Sequence, residues 1–192
     1  MAELYIQDKT FDKEDYTLQP FEKGEYDNCT FSNCNFSGSN LSGSMFTDCT
    51  FINCNLSLVK TGMTVFRDIQ FSSCKLQGIR FDTCSPFGLS FTFNDCQLTY
   101  SSFYKTSIKQ TVFKNCLLQE TDFTESDLTG AVLENCNCTG AIFENTVLEK
   151  ADLRTAYNYT INPEINKLKK ARFSFPAVAA LLDKYGIEIE NV

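Results

Sequence analysis

The chain has 192 residues, room for one domain with a sizeable core, and carries 24 acids, 17 bases and no histidine, a formal charge of −7. Lack of histidine excludes the usual general base, Ser-His and Cys-His nucleophilic pairs and most zinc sites. The shortage of positive charge argues against direct nucleic-acid binding, which needs Lys and Arg to displace counterions from phosphates.

In chain order, the first segment, Met1 to Phe11, has neither a basic start nor an apolar stretch, and no run of about 18 apolar residues follows it. A soluble, cytoplasmic protein is expected. Eighteen Phe stand against no Trp, and ten Cys occur without any C-x-x-C spacing. No metal site and no cofactor are therefore expected. Triplets such as Asn28-Cys29-Thr30 match a glycosylation acceptor, but a chain rich in Asn, Ser and Thr makes them by chance.

From Ile6 onward an apolar residue recurs every fifth position: Phe11, Tyr16, Phe21, Tyr26, Phe31, Phe36, Leu41 and so on to Phe81. The rhythm resumes two residues late at Phe93 and runs through Leu98, Phe103, Ile108 and Phe113 to Leu153. Two residues before each central position stands a small side chain, such as Ser44, Thr64, Thr111, Ser126 or Ala151. Nine of the ten cysteines take that place, where cysteine acts as a small apolar filler, and Cys138 is itself central. Period five fits neither a helix nor a strand. A chain that buries two residues in five and exposes three must turn a corner each time, and four corners close a square coil of four pentapeptides.

Positions i and i+20 then share a face. One face reads Phe11, Phe31, Phe51, Phe71, Phe93, Phe113, Leu133, Leu153; the next carries Cys34, Cys54, Cys74, Cys96, Cys116, Cys136 in register. A triangular coil of three pentapeptides would scatter that cysteine column over all its faces. Stacked coils hold Cβ atoms at about 4.8 Å, beyond the ~3.8 Å a disulfide wants, so the column is expected to stay reduced. About eight coils make a rod roughly 38 Å long.

The interruption falls near 82–92, at Cys84-Ser85-Pro86-Phe87-Gly88-Leu89. If Phe87 takes the central place after Tyr26, Phe46 and Phe66, one extra residue lies on either side of it. Pro86 and Gly88 then sit at a bulge, and the bump is either a tolerated insertion or a partner contact. Thr61, a lone hydroxyl in a central place, reads as a hydrogen-bonded core residue. Asn162-Pro163-Glu164 predicts a helical excursion over 163–169, after which Phe173 rejoins the column of Leu153. The remaining segment, 174–192, predicts a helix bearing Val178, Leu181, Leu182 and Tyr185, closed by Gly186, then an edge strand with Ile187 and Ile189. It serves either to cap the rod or to join two rods end to end as a homodimer.

Stretches such as Ser126-Asp127-Leu128-Thr129-Gly130 and Ala151-Asp152-Leu153-Arg154-Thr155 resemble the repeat of the pentapeptide-repeat proteins over roughly residues 4 to 156. The resemblance implies an all-β right-handed quadrilateral β-helix over 1–173 with a short C-terminal helical cap. The acidic balance and the tail from Arg154 through Phe173 to Gly186 resemble the Qnr-type members. That implies a non-enzymatic, DNA-mimicking partner of gyrase or topoisomerase IV, with protection against quinolones or toxins. The long surface loops of the plasmid-borne members are missing.

Charge is uneven: residues 1–50 hold nine acids and three bases, and residues 101–150 seven acids and four bases. Exposed acids Asp122, Glu125, Asp127, Glu134 and Glu144, with the bump Pro86, Phe87 and Gly88, are the candidate contacts to a protein partner. The alternative is a scaffold module with an unrelated partner. An enzyme is not expected, since there is no histidine, no metal-ligand spacing, no Gly-rich phosphate loop and no acid pair that can be placed in a pocket.

Overall fold

Corners between the pentapeptides, not strands of any length, set the architecture. The computed structural model describes residues 4–175 and 177–188. Most corners are made by the residue two after a central one, which takes a left-handed backbone: φ is 57° at Asn33, 54° at Asn53, 52° at Asn115 and 53° at Asn135. Asn and Asp adopt this region most readily among residues with a side chain. Bulkier Leu58 (57°), Met63 (56°) and Tyr100 (61°) are held there too, because the coils on either side leave the backbone no alternative.

Between corners the chain runs extended in short strands, and each pairs in parallel with the strand of the next coil. The first face, carrying Phe11 and Phe31, has the strands β2 (Thr10–Asp12), β4 (Thr30–Ser32), β6 (Thr50–Ile52), β8 (Ile69–Ser72), β9 (Phe91–Asn94), β10 (Val112–Lys114) and β11 (Val132–Glu134) in one sheet. The fourth face begins with β1 (Tyr5–Gln7), β3 (Glu25–Asp27), β5 (Met45–Thr47) and β7 (Val65–Arg67) in another. Register is direct, with Phe31 against Phe51 and Phe51 against Phe71, and it absorbs two residues between Phe71 and Phe93. Single bridges continue the second and third faces, such as Asn35 with Asn55 and Asp122 with Ile142. The result is a right-handed parallel β-solenoid with square coils, as expected.

Rings on one face stack at the coil spacing. Phe31 and Phe51 lie 4.8 Å apart at 11°, Phe93 and Phe113 5.0 Å apart at 7°, and Phe103 and Phe123 5.3 Å apart at 5°. Rings on neighbouring faces meet edge to face, as Phe103 does Phe113 at 85°. Both geometries suit the aromatic quadrupole, so Phe fills the square without strain. The small position has its own logic. Its donor points at the carbonyl of a central residue in the preceding coil: Cys54 Sγ to Phe31 O at 3.3 Å, Cys136 Sγ to Phe113 O at 3.4 Å, Thr64 Oγ1 to Leu41 O at 2.9 Å. All ten cysteines are free and buried, and burial pushes the Cys34 thiol up to about 11 and those of Cys49 and Cys84 up to about 12. Thr61 donates to Arg80 O at 2.5 Å and meets Thr83 Oγ1 at 2.9 Å, a satisfied core hydroxyl as expected.

Two expectations are corrected. Phe87 is not central: it is 80% exposed, while Leu89 and Phe91 are buried. Ser85 N–H still donates to Thr64 O and Ser90 N–H to Phe66 O, so both extra residues are pushed out between those two anchors. Pro86 has no N–H with which to rejoin the ladder. Phe91, at a position small in most other coils, swings in to 4.9 Å from Phe81 and 6.0 Å from Phe66 and fills the gap. Second, residues 163–169 hold turns and a bridge of Lys167 to Val147, with no helix. Buried Asn166 accepts from Thr146 N–H at 2.7 Å and donates to Phe143 O at 2.8 Å and Asn162 O at 2.9 Å, which replaces the helical bonds.

The tail forms two 3-10 turns, Ala177–Leu181 and Asp183–Tyr185, closed by Gly186 at φ 60°. Ala177, Ala180 and Leu181 pack on the end of the core, and Tyr159 donates to Ala177 O at 3.2 Å. Ile187 lies in no strand, and Ile189 is outside the described residues.

Candidate functional site

The interior is filled, so any function of the described rod lies on its faces and corners. The five acids singled out from the sequence do not form one patch. Asp122, Glu125, Asp127 and Glu144 gather around the edge between the third and fourth faces, where Glu125 N–H donates to Glu144 O at 2.8 Å. Glu134 lies on the first face. Three of the five are neutralised within the rod: Glu125 by Lys105 at 3.4 Å, Asp127 by Lys109 at 3.2 Å and Glu134 by Lys114 at 3.1 Å. Partial burial opposes it, yet the Thr129 hydroxyl and amide and the Lys109 ammonium hold the Asp127 carboxyl below its ordinary value.

A second acidic group, which sequence reading did not separate out, occupies the start of the fourth face. Asp8, Asp48 and Asp68 stand at its corner with φ of 56°, 52° and 53°, and Glu25 and Asp27 lie on the strand beside them. Tyr5 donates to Asp27 at 3.1 Å, Asn28 to Asp8 at 2.7 Å and Ser90 to Asp68 at 2.9 Å. Among the described residues none of these five acids has an ion-pair partner. Lys9 is turned away over the Phe11 ring, 4.8 Å from its centroid. The signal was available, since Asp48 and Asp68 are one coil apart and Asp8 is in phase with them.

The loop Pro86, Phe87, Gly88 rises from the middle of that same face, tied to it by the Asp68 N–H to Ser90 Oγ bond of 2.6 Å. At the C-terminal end, Leu181 is turned toward the core while Phe175, Val178, Leu182, Tyr185 and Ile187 are exposed. Glu164 is held by Lys184 and by the Tyr185 hydroxyl at 2.7 Å, and these partners lower its pKa. Among the described residues no group of His, Cys, Asp or Glu is arranged to hold a metal ion, and no helix is long and apolar enough to cross a membrane.

Square coils with a small and a central residue in each five, and a left-handed residue at most corners, define a pentapeptide-repeat solenoid. The family model described as "Pentapeptide repeat region" matches residues 25–92 and 90–157, and the chain belongs to that family. Among curated proteins none matches the sequence. Of solved structures, the chain is similar to a trypsin-treated variant of QnrB1, a plasmid-mediated fluoroquinolone resistance protein. That match has a TM-score of 0.62 and 19% identity, covering 99% of this chain and 100% of that one. Full-length QnrB1 matches with a TM-score of 0.55 and 18% identity over 95% of this chain and 100% of its own. At such identity the likeness establishes the shared fold.

Proposed function

We propose that the chain is a non-enzymatic protein-binding rod that enters the basic, DNA-receiving groove of a type II topoisomerase, gyrase or topoisomerase IV, as a DNA mimic in the cytoplasm. The observation that carries the proposal is the unpaired acidic start of the fourth face. Asp8, Glu25, Asp27, Asp48 and Asp68, less the charge of Arg67, put a net −4 along three coil steps. Three steps span about 14 Å, or one charge per ~3.6 Å, close to the ~3.4 Å phosphate spacing of one DNA strand. Similarity in fold to a fluoroquinolone resistance protein supports the same reading. Asp122 and Glu144 extend the acidic surface, whereas Glu125, Asp127 and Glu134 contribute less while their lysines hold them. A supercoiling assay tests it: the protein is expected to inhibit or protect the enzyme at low salt, with the effect falling as salt rises. The triple variant D8K/E25K/D48K is expected to abolish it, and no effect of excess wild type on either enzyme would leave the scaffold reading.

The outward apolar side of the tail, with Phe175 91% exposed, supports an end-to-end homodimer as well. L182E is the informative variant in light scattering, because Leu181 serves the cap.

A further inference from the structure

The third face has a hollow where its column of large central residues, Phe21, Leu41, Phe81 and Phe103, is broken by Thr61. The Thr61 hydroxyl, bonded to Arg80 O and Thr83 Oγ1, ties the strand to the 3-10 turn Phe81–Thr83 of the next coil. Gly62 follows, at an outward position where neighbouring coils carry Ser42, Asp82 and Tyr104, so no side chain covers the backbone there. A Cβ on Gly62 would meet only the Ser42 side chain, at 3.3 Å. At the adjoining corner Gly78, with φ of 66°, yields its space to Leu58, whose Cδ2 lies 2.7 Å from where a Gly78 Cβ would stand. Leu58 and Val59 wall a cavity of about 320 Å³ over the two glycines. Lys60 and Arg80 also line it. Asp82 neutralises Arg80 and fixes its guanidinium through two bonds, Nε to Oδ1 at 3.3 Å and Nη2 to Oδ2 at 2.5 Å. Lys60 is exposed and, among the described residues, has no ion-pair partner.

We propose that this hollow binds a small planar aromatic anion, a carboxylate or sulfonate, with its ring over Gly62 and Gly78 and its charge on Lys60. The hydroxyls in the hollow are spent within the fold, Thr61 on Arg80 O and Thr83 on Arg80 O at 2.9 Å, so what a ligand gains from the floor is apolar contact. Two adjacent positions without side chains leave a flat patch that a planar ring covers. A guanidinium held by a bidentate carboxylate is a pre-ordered plane on which an aromatic ring stacks. Lys60 and Arg80 less Asp82 leave one surplus positive charge, which a single negative group balances. The volume lies at the low end of the ~300–1,000 Å³ range of small-molecule sites and suits a compound of about two rings. The hollow is clear of the acidic start of the fourth face and of the tail. The proposal therefore stands whether or not a topoisomerase is bound and whether or not two rods join end to end.

Titration of the full chain, labelled with nitrogen-15, with 2-naphthoate tests it, and 2-naphthamide serves as the uncharged counterpart. Saturable NMR shifts are expected at the Gly62 and Gly78 amides and at Arg80 Nε, with a dissociation constant of about 1 mM or tighter for a ligand of this size. The acid is expected to bind about 3-fold more tightly than the amide, as one exposed ion pair allows, and to lose that advantage as salt rises. K60Q is expected to bring the acid down to the amide without changing the amide. G62V is expected to abolish binding of both, since its side chain fills the hollow, and Gly62 is not a left-handed residue that valine would strain. Circular dichroism of both variants checks the fold, and K60Q, a surface change, keeps the test open if G62V unfolds. Absence of saturable shifts at several times the expected constant overturns the proposal, as when the hollow takes only a partner's side chain. Shifts confined to the tail overturn it too, as does binding that is indifferent to K60Q and to G62V.

Discussion

The regular coil containing Phe46 and Phe51 and the interrupted coil containing Phe87, Phe91 and Phe93 solve one packing problem in different ways. In the regular coil each face sends one large side chain inward, and a small one two residues earlier leaves room for it, as Cys49 does for Phe51. In the interrupted coil the fourth face is too long, its would-be central residue is expelled, and the first face supplies two large rings, Phe91 and Phe93, 5.4 Å apart. The sheet of the first face runs on undisturbed from β8 to β9. The rod thus demands a filled square at each level and is indifferent to which face fills it.

Substitutions can break that comparison at different depths. F51A and F113A remove rings stacked between coils above and below, and a loss of about 3–5 kcal/mol is expected in chemical denaturation. F91A is expected to cost less, about 2–3 kcal/mol, because the loop beside it can settle inward. If F91A costs nothing, the interior at that level is not filled by Phe91. F87S alters an exposed side chain and is expected to shift stability by less than about 0.5 kcal/mol in the same measurement. The smallest effect concerns acid. Arg154, first, and Arg172 hold the Asp152 carboxyl below its ordinary value, against partial burial. A lowered native pKa stabilises above the unfolded value near 4, and that contribution is lost as pH falls through the native one. At this half-buried surface position, with both arginines largely in solvent, the loss is expected to be a few tenths of a kcal/mol, and D152N should remove that part of the acid dependence.

Much of this was legible in the residues. The column Cys34 to Cys136 defined a coil of four pentapeptides, and the structure keeps that register through every paired strand. The bends at Asn33, Asn53, Asn115 and Asn135 were not read from the residues, although Asn is a side chain that suits a left-handed corner. Phe87 was misplaced because period alone cannot say which of several apolar residues in an irregular stretch enters the core. Asn162-Pro163-Glu164 carries a helix-start pattern, but Asn166, one coil after Thr146, already occupied the small position of the ladder. For the candidate surface, acids could be counted but not paired. Lys105 and Glu125 stand one coil apart, as do Lys114 and Glu134, and their contact exists only once coils stack.

What the sequence determined by itself was therefore the coil: its period, its four faces, its fillers and the family to which it belongs. Those follow from short-range rules repeated along the chain, so each repeat confirms the last. The tertiary structure decided which side chain fills the one irregular level, which charges cancel, and which acids stay unpaired at the start of the fourth face. These depend on residues a full coil or more apart in the chain meeting across the coil spacing, where size and charge compete for a single place.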